Sequence, residues 1–334
     1  MANQVKNFIK IVKSIINYKR QKVKVSNLPY FISIETSSIC NLRCVMCPQS
    51  SDQDFVKRNM KLDLYKKIID DVKGFATDVD LFSRGEPLLN PDIFEMIRYT
   101  KESGLKARIH SNGTLLTKEK GRKLVESGLD TISFSLDGYD KETYENIRVN
   151  ANFEKTIENI KRLLEIKQSL NSEKPFVMIQ NILVSTLDRE QATEGINFFR
   201  EYFKGLPVDE YKVIEQHTFA GLVEKEGEAG LHNNYVVCKF PWYAMFFLSD
   251  GTLVPCCNDW YAEYPLGNAE DIKCSDAFNG EAIQNLRKNL LTESGSKKVS
   301  ICAKCDVPYR QTAFEISFKN IKNIKSFLRQ HLFK

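Results

Sequence analysis

Apolar positions change their period twice along the chain. Val5, Phe8, Ile9, Val12, Ile15 and Ile16 recur every three or four residues, with lysines elsewhere on the wheel, which predicts an amphipathic helix over 5–16. After Pro29 short apolar runs take over. Those at 30–36 (YFISIET), 77–83 (TDVDLFS), 106–111 (KARIHS), 130–136 (DTISFSL), 175–185 (PFVMIQNILVS) and 208–215 (VDEYKVIE) read as strands. Helical periods fall between them, near 62–75, 91–103, 117–127, 153–168 and 188–203. Strand–helix alternation at this spacing implies parallel strands joined by right-handed crossovers. Six such units predict an α/β fold, a partial (β/α)6 barrel or an open sheet. In barrels the chemistry sits on the loops that follow strand C-termini.

From about 216 the alternation stops. Gly221, Gly227 and Gly230 mark a linker over 216–237, and 238–310 is short and rich in cysteine and aromatics, as in a small metal-stabilised domain. The expected organisation is a basic amphipathic helix in 1–28, a core domain in 29–215, the linker, the small domain, and a basic amphipathic tail in 311–334.

Composition sharpens this picture. With 42% hydrophobic and 27% charged residues the chain reads as a folded protein. It has no run of eighteen uncharged apolar residues, and Lys6, Lys10 and Lys13 interrupt the N-terminus, so neither a transmembrane helix nor a signal peptide is expected. Nine cysteines without a signal peptide point to a reducing, cytoplasmic setting and to thiols or metal ligands rather than disulfides. Cys40, Cys44 and Cys47 crowd one early loop, and the other six lie in the last third, which fits two separate metal-binding regions. The net charge of +5 hides an asymmetry: no Asp or Glu precedes Glu35 and none follows Glu315. In the tail, Lys319, Lys322, Lys325, Arg329 and Lys334 accompany an apolar side of Phe318, Ile321, Ile324, Phe327, Leu328 and Leu332. Two readings stand for the two basic ends: peripheral contact with the inner face of a membrane, or packing against the barrel with solvated lysines.

The loop after the first strand reads Cys40-Asn-Leu-Arg-Cys44-Val-Met-Cys47. Three cysteines cannot complete a four-ligand zinc site alone, but three thiolates can hold three irons of a [4Fe–4S] cluster and leave the fourth open. A zinc knuckle that borrows a distant ligand, or reduced core thiols, is the bland alternative. The motif resembles the radical S-adenosylmethionine superfamily, over residues 30–215. The resemblance implies that S-adenosylmethionine chelates the open iron through its amino and carboxylate groups. Reductive cleavage then yields a 5′-deoxyadenosyl radical that abstracts hydrogen from a substrate. The residue before the third cysteine is usually aromatic and lies near adenine. Here it is Met46, a polarizable substitute.

Companion motifs follow the next strands. Arg84-Gly85-Glu86-Pro87 resembles the family's Gly-Gly-Glu-Pro, with Arg84 in place of the first glycine, and the resemblance gives this loop the methionine amino group to bind. His110-Ser111-Asn112-Gly113 reads as a turn, or by resemblance as a loop lining the cofactor through Asn112. Ser133-Phe134-Ser135-Leu136-Asp137-Gly138 resembles the family's ribose-contacting strand, with Ser133 or Ser135 near the cofactor. Arg148 resembles the arginine that pairs with the methionine carboxylate, and a guanidinium suits that bidentate contact; a surface salt bridge is the alternative. Gln180 and Asn181 interrupt an apolar strand, where a buried amide needs a partner, and they are substrate-site candidates together with His217 after the sixth strand.

Cys238, Cys256, Cys302 and Cys305 supply four thiolates, enough for a complete [4Fe–4S] cluster or a zinc site. The run Cys238…Trp242…Ser249-Asp250-Gly251-Thr-Leu-Val-Pro-Cys256 resembles the SPASM domain of radical enzymes. No cysteine follows Cys305, as in the shorter twitch form with one auxiliary cluster. Cys257 and Cys274 remain as small buried hydrophobes.

The resemblance implies an oxidoreductase-like radical enzyme that oxidises an alcohol of a sugar-like small molecule, with the auxiliary cluster as electron acceptor and a flavodoxin- or ferredoxin-type donor as partner. A peptide-modifying maturase or an epimerase is the alternative within the family. A zinc-stabilised binding module is the alternative outside it, although no nucleic-acid partner is expected.

Overall fold

The computed structural model describes residues 2–51, 56–184, 189–223 and 234–310. The elements in chain order are α1 (Ala2–Lys19), β1 (Phe31–Ile34), α2 (Pro48–Ser51), α3 (Leu62–Val72), β2 (Asp78–Asp80), α4 (Ile93–Glu102), β3 (Lys106–Ser111), α5 (Lys118–Glu126), β4 (Thr131–Ser135), α6 (Lys141–Ile147), α7 (Phe153–Ser169), β5 (Phe176–Leu183), α8 (Arg189–Tyr202) and β6 (Glu210–Glu215). There follow β7 (Ala244–Phe247), β8 (Thr252–Val254), β9 (Gly267–Asn268), α9 (Cys274–Ala277), α10 (Glu281–Leu290), α11 (Glu293–Ser296) and α12 (Ser300–Ala303).

Each expected strand is present, and β1 to β6 pair in sequence order, all parallel. Within the core domain the additions are the single turn α2 and helix α6. The start of α6 is set by Asp140, whose carboxylate accepts from the Thr143 amide at 2.9 Å and the Thr143 hydroxyl at 2.8 Å, a capping arrangement. One face of the strands is apolar: Ile32, Val79, Ala107, Ile109, Ile132, Phe134, Val177 and Ile179 are fully enclosed. Burying each of the larger ones stabilises the fold by about 1.5–3 kcal/mol. The other face carries Ser33, Asp80, Arg108, His110, Ser133 and Gln180. The strand pattern therefore places a hydrophobic layer outside, under the helices, and a polar layer inside.

The parallel order does not stop at 216. β7 pairs parallel with β1, from Phe31↔Ala244 to Ile34↔Phe247, and β8 and β9 follow antiparallel, so one nine-stranded sheet runs β6-β5-β4-β3-β2-β1-β7-β8-β9. The small cysteine-rich region thus extends the core sheet through its first strand. The sequence carried the signal in the run Ala244-Met-Phe-Phe247, in which all four residues are buried.

Helix α1 packs beneath the N-terminal ends of β1 and β7. Ile11 and Ile15 cluster with Tyr30, Phe31 and Tyr243, and the Tyr18 hydroxyl donates to the Val237 carbonyl at 2.7 Å. A second apolar stripe is left open: Val5, Phe8, Ile9 and Ile16 are 56%, 48%, 47% and 43% exposed. Among the described residues no helix is long and apolar enough to cross a membrane. The basic tail in 311–334 and the linker positions 224–233, with Gly227 and Gly230, lie outside the described residues.

Candidate functional site

The three-cysteine loop leaves β1 and is pinned from beneath. The Arg43 amide donates to the Val149 carbonyl and the Val45 amide to the Ile147 carbonyl, both at 3.0 Å. Cys40, Cys44 and Cys47 join one apolar cluster with Leu42, Met46, Ile147, Val184 and Ala192. Met46 is buried in that cluster. Burial pushes the Cys40 thiol up to about 11 and the Cys47 thiol up to about 12; Glu86 and Cys44 raise Cys40 further, and Cys44 and Cys40 raise Cys47. Two thiols raised in this way favour ionisation when cations join them, which is the chemistry of a thiolate-bound cluster.

Arg148 lies beside this loop and is enclosed, so it is no surface salt bridge. Its Nε donates to Asp137 Oδ2 at 2.7 Å, Nη2 donates to the same oxygen, and Nη1 reaches Cys44 Sγ at 3.6 Å. Asp137 also accepts from the Ile182 amide at 2.6 Å. Sequence reasoning missed Asp137 as a partner, although it stands within the quoted motif at the end of β4.

The loop after β2 presses against the cysteine loop. A Cβ on Gly85 would stand 2.3 Å from the Ser37 carbonyl oxygen and 2.5 Å from that of Ile39, so only glycine fits. Glu86 is enclosed. Its Oε1 accepts from the Leu88 amide at 3.0 Å and the Ser111 hydroxyl at 2.9 Å, and its Oε2 accepts from the Asn112 amide at 2.8 Å. Burial pushes the Glu86 carboxyl up against the pull of those three donors. Each carboxylate oxygen takes two donors, so the second position on Oε2 is the one left for an incoming N–H. Pro87, also buried, opens the short 3-10 turn that follows. Asn112 donates from Nδ2 to Asn41 Oδ1 at 3.0 Å, tying the β3 loop to the residue after Cys40.

Below these loops the inner face of the strands holds a polar group. Gln180 Nε2 donates to Ser133 Oγ and lies 3.2 Å from His110 Nδ1, and the His110 ring stacks on Phe82 at 4.0 Å. Ser135 is half-buried at the end of β4, in register with Gln180. Burial, and then Arg108 and Lys212, push His110 down to about 3, so it is uncharged at neutral pH. Asn181 points the other way. Its amide is wholly buried without a hydrogen-bond partner, and a Cβ on Gly195 of α8 would stand only 2.7 Å from Nδ2. His217 is placed apart from this group: its Nδ1 accepts from the Phe219 amide at 3.1 Å, and Asp306 and Arg310 are the charges that act on it.

Cys238, Cys256, Cys302 and Cys305 line one cavity whose other walls are Phe240, Pro241, Leu286, Leu290, Ile301, Val307 and Pro308. Burial pushes the Cys302 and Cys305 thiols up, and the neighbouring thiols add to the shift. An apolar cavity lined by four thiols fits a fully ligated cluster. Cys257 is half-buried against the cluster of Ala244, Phe246, Leu248 and Val254, while Cys274 is a core residue. Among the described residues no three His, Cys, Asp or Glu side chains converge on one metal-ion position; a cluster binds each thiolate at a different iron. Beside the β1–β7 pairing, side chains near two of these cysteines tie this region to the core. The Asp306 Oδ1 accepts from the Thr218 amide and hydroxyl at 3.1 and 2.9 Å, next to Cys305, and Arg84 donates to the Trp260 carbonyl, four residues after Cys256.

Comparison with known proteins agrees with this arrangement. Residues 34–179 match the model of the radical SAM superfamily, and residues 238–306 match that of the SPASM iron–sulfur cluster-binding domain. The second match sets aside a zinc-stabilised module. The AdoMet-dependent heme synthase of Methanosarcina barkeri is 33% identical over 180 residues, 54% of this chain and 49% of that protein. The tungsten-containing aldehyde ferredoxin oxidoreductase cofactor-modifying protein of Pyrococcus furiosus is 31% identical over 183 residues, again 54% of this chain and 49% of that one. The chain thus spans about half the length of these relatives. Among solved structures, BtrN in complex with AdoMet and 2-DOIA aligns with a TM-score of 0.59 at 18% identity, over 86% of this chain and 98% of that one. Streptococcus suis SuiB bound to precursor peptide SuiA aligns at 0.65 and 17%, over 88% of this chain and 74% of that one. At these identities the likeness is one of fold.

Proposed function

Because this chain belongs to the radical SAM superfamily, we propose that it reductively cleaves S-adenosylmethionine and abstracts a hydrogen atom from a substrate held inside the barrel. The observation that carries this reading is the convergence of Cys40, Cys44 and Cys47 with Arg148, Gly85, Glu86 and Asn112 at the C-terminal ends of β1 to β4. Bound there, S-adenosylmethionine and its [4Fe–4S] cluster supply the 5′-deoxyadenosyl radical, and a cluster on Cys238, Cys256, Cys302 and Cys305 supplies an electron acceptor. The chain's own part is placement. Gly85 lets backbone approach the cysteine loop, Glu86 offers one acceptor position, and Arg148 holds positive charge beside Cys44. Changing Cys40, Cys44 and Cys47 together to Ala tests the reading. The variant is expected to form no 5′-deoxyadenosine with dithionite while keeping the auxiliary iron, and persistent 5′-deoxyadenosine would overturn it.

Within this class, the uncharged His110, Gln180 and Ser133 favour a hydroxyl-bearing small molecule, since they offer hydrogen bonds without net charge. Oxidation of such an alcohol to a carbonyl removes one hydrogen atom, then one proton and one electron, which matches a chain with a closed four-thiolate site. The reducing electron comes from a flavodoxin- or ferredoxin-type partner. The open stripe of α1, Val5, Phe8, Ile9 and Ile16 beside Lys6, Lys13 and Arg20, favours peripheral contact with an anionic membrane.

A further inference from the structure

Arg84 stands where the family pattern has glycine, and its side chain makes contacts that no glycine could. Nε and Nη2 donate to the two oxygens of Glu35, the latter at 2.6 Å, and Nη1 donates to the Trp260 carbonyl. Glu35 Oε2 also accepts from the Ser249 amide at 2.9 Å. The Arg84 side chain is 7% exposed and that of Glu35 is 0%. An enclosed carboxylate is tolerated only when its charge and lone pairs are met, and here a forked guanidinium and an amide meet them.

The pair touches both cysteine groups through short runs of chain. The Arg84 carbonyl accepts from Gln49 Nε2 at 2.6 Å, two residues past Cys47, and Gly85 is wedged under Ile39, next to Cys40. Glu35 directly follows β1 and leads into the same loop. On the far side, the Asp259 amide donates to the Cys256 carbonyl at 3.2 Å, one residue before Trp260. We infer that Arg84 is a positioning residue, a buried strut that fixes the cofactor-binding loop against the Cys256 turn and so sets the placement of one cysteine group relative to the other. The inference rests on the proposed roles of the two groups.

The test compares anaerobically reconstituted wild type with R84G, R84K and E35Q. The expected result is unchanged iron content, because none of these residues is a ligand. Apparent affinity for S-adenosylmethionine, read from the electron paramagnetic resonance change on titrating it into reduced enzyme, is expected to fall about tenfold, as for a displacement of a fraction of an ångström. The auxiliary signal, read in a background with Cys40, Cys44 and Cys47 changed to Ala, is expected to shift its g values in R84G. R84K keeps the charge but loses the fork, and E35Q is nearly isosteric, so these two report even if R84G folds poorly. The double variant R84K/E35Q is expected to lose no more affinity than the worse single one. Wild-type affinity and an unshifted auxiliary signal in folded, fully loaded variants would overturn the inference. Missing auxiliary iron in the wild type would instead overturn the proposed function of the second cysteine group.

Discussion

Arg148 and Asp137 are both enclosed, with side-chain exposures of 10% and 0%, so each depends on the other. Removing one partner of such a pair strands the other charge. Arg148→Met is expected to cost about 3 kcal/mol or more in urea unfolding of the anaerobic holoenzyme, and Arg148→Lys less, since the charge survives. His110 gives a pH dependence. Its folded value, about 3, lies far below the ordinary 6.5. The unfolded chain therefore binds the proton first, and stability is lost as pH falls below about 6.5. Urea midpoints at pH 7.5 and 6.0 should drop further in wild type than in His110→Asn. At this scale the cysteine and Gly-Glu-Pro motifs were legible because spacing along the chain defines them. The Glu35–Arg84 pair was not, since it forms only when the loops after β1 and β2 are folded against each other.

Single elements show the same division. The six core strands and five of the helices announce themselves by period, because each has one apolar face and one polar face. α6 is only seven residues long, too short for a period, and its start was visible only in the cap at Asp140. β7 was missed because a strand buried on both faces shows no alternation. For α1 the period was read correctly, but not its two uses. One stripe, with Ile11, Ile15 and Tyr18, packs on the barrel, and the other remains open. Flotation with anionic vesicles at low salt should carry the protein, and the change of Phe8, Ile9 and Ile16 to Ser should release it. Binding unchanged by those substitutions, or absent in wild type, would show that the stripe is no lipid contact.

At the scale of the whole molecule, two cysteine groups sit at separate places along one sheet. Cys302→Ala is therefore expected to lose the auxiliary iron yet still convert S-adenosylmethionine to 5′-deoxyadenosine, measured by iron content and by product analysis. The loop that carries the first group depends on a strand with an unusual history. β1 lies between β2 and β7, and its β7 partner is made only when Phe247 has been added. A chain emerging from the ribosome folds from its N-terminal side, so through most of synthesis Phe31–Ile34 presents an unpaired edge. Such an edge recruits strands from other chains. Fragments that stop before Ala244 should then aggregate, and supplying the remaining segment as a separate peptide should restore solubility. Assembly of the first iron site would accordingly be a late event in the life of the nascent chain.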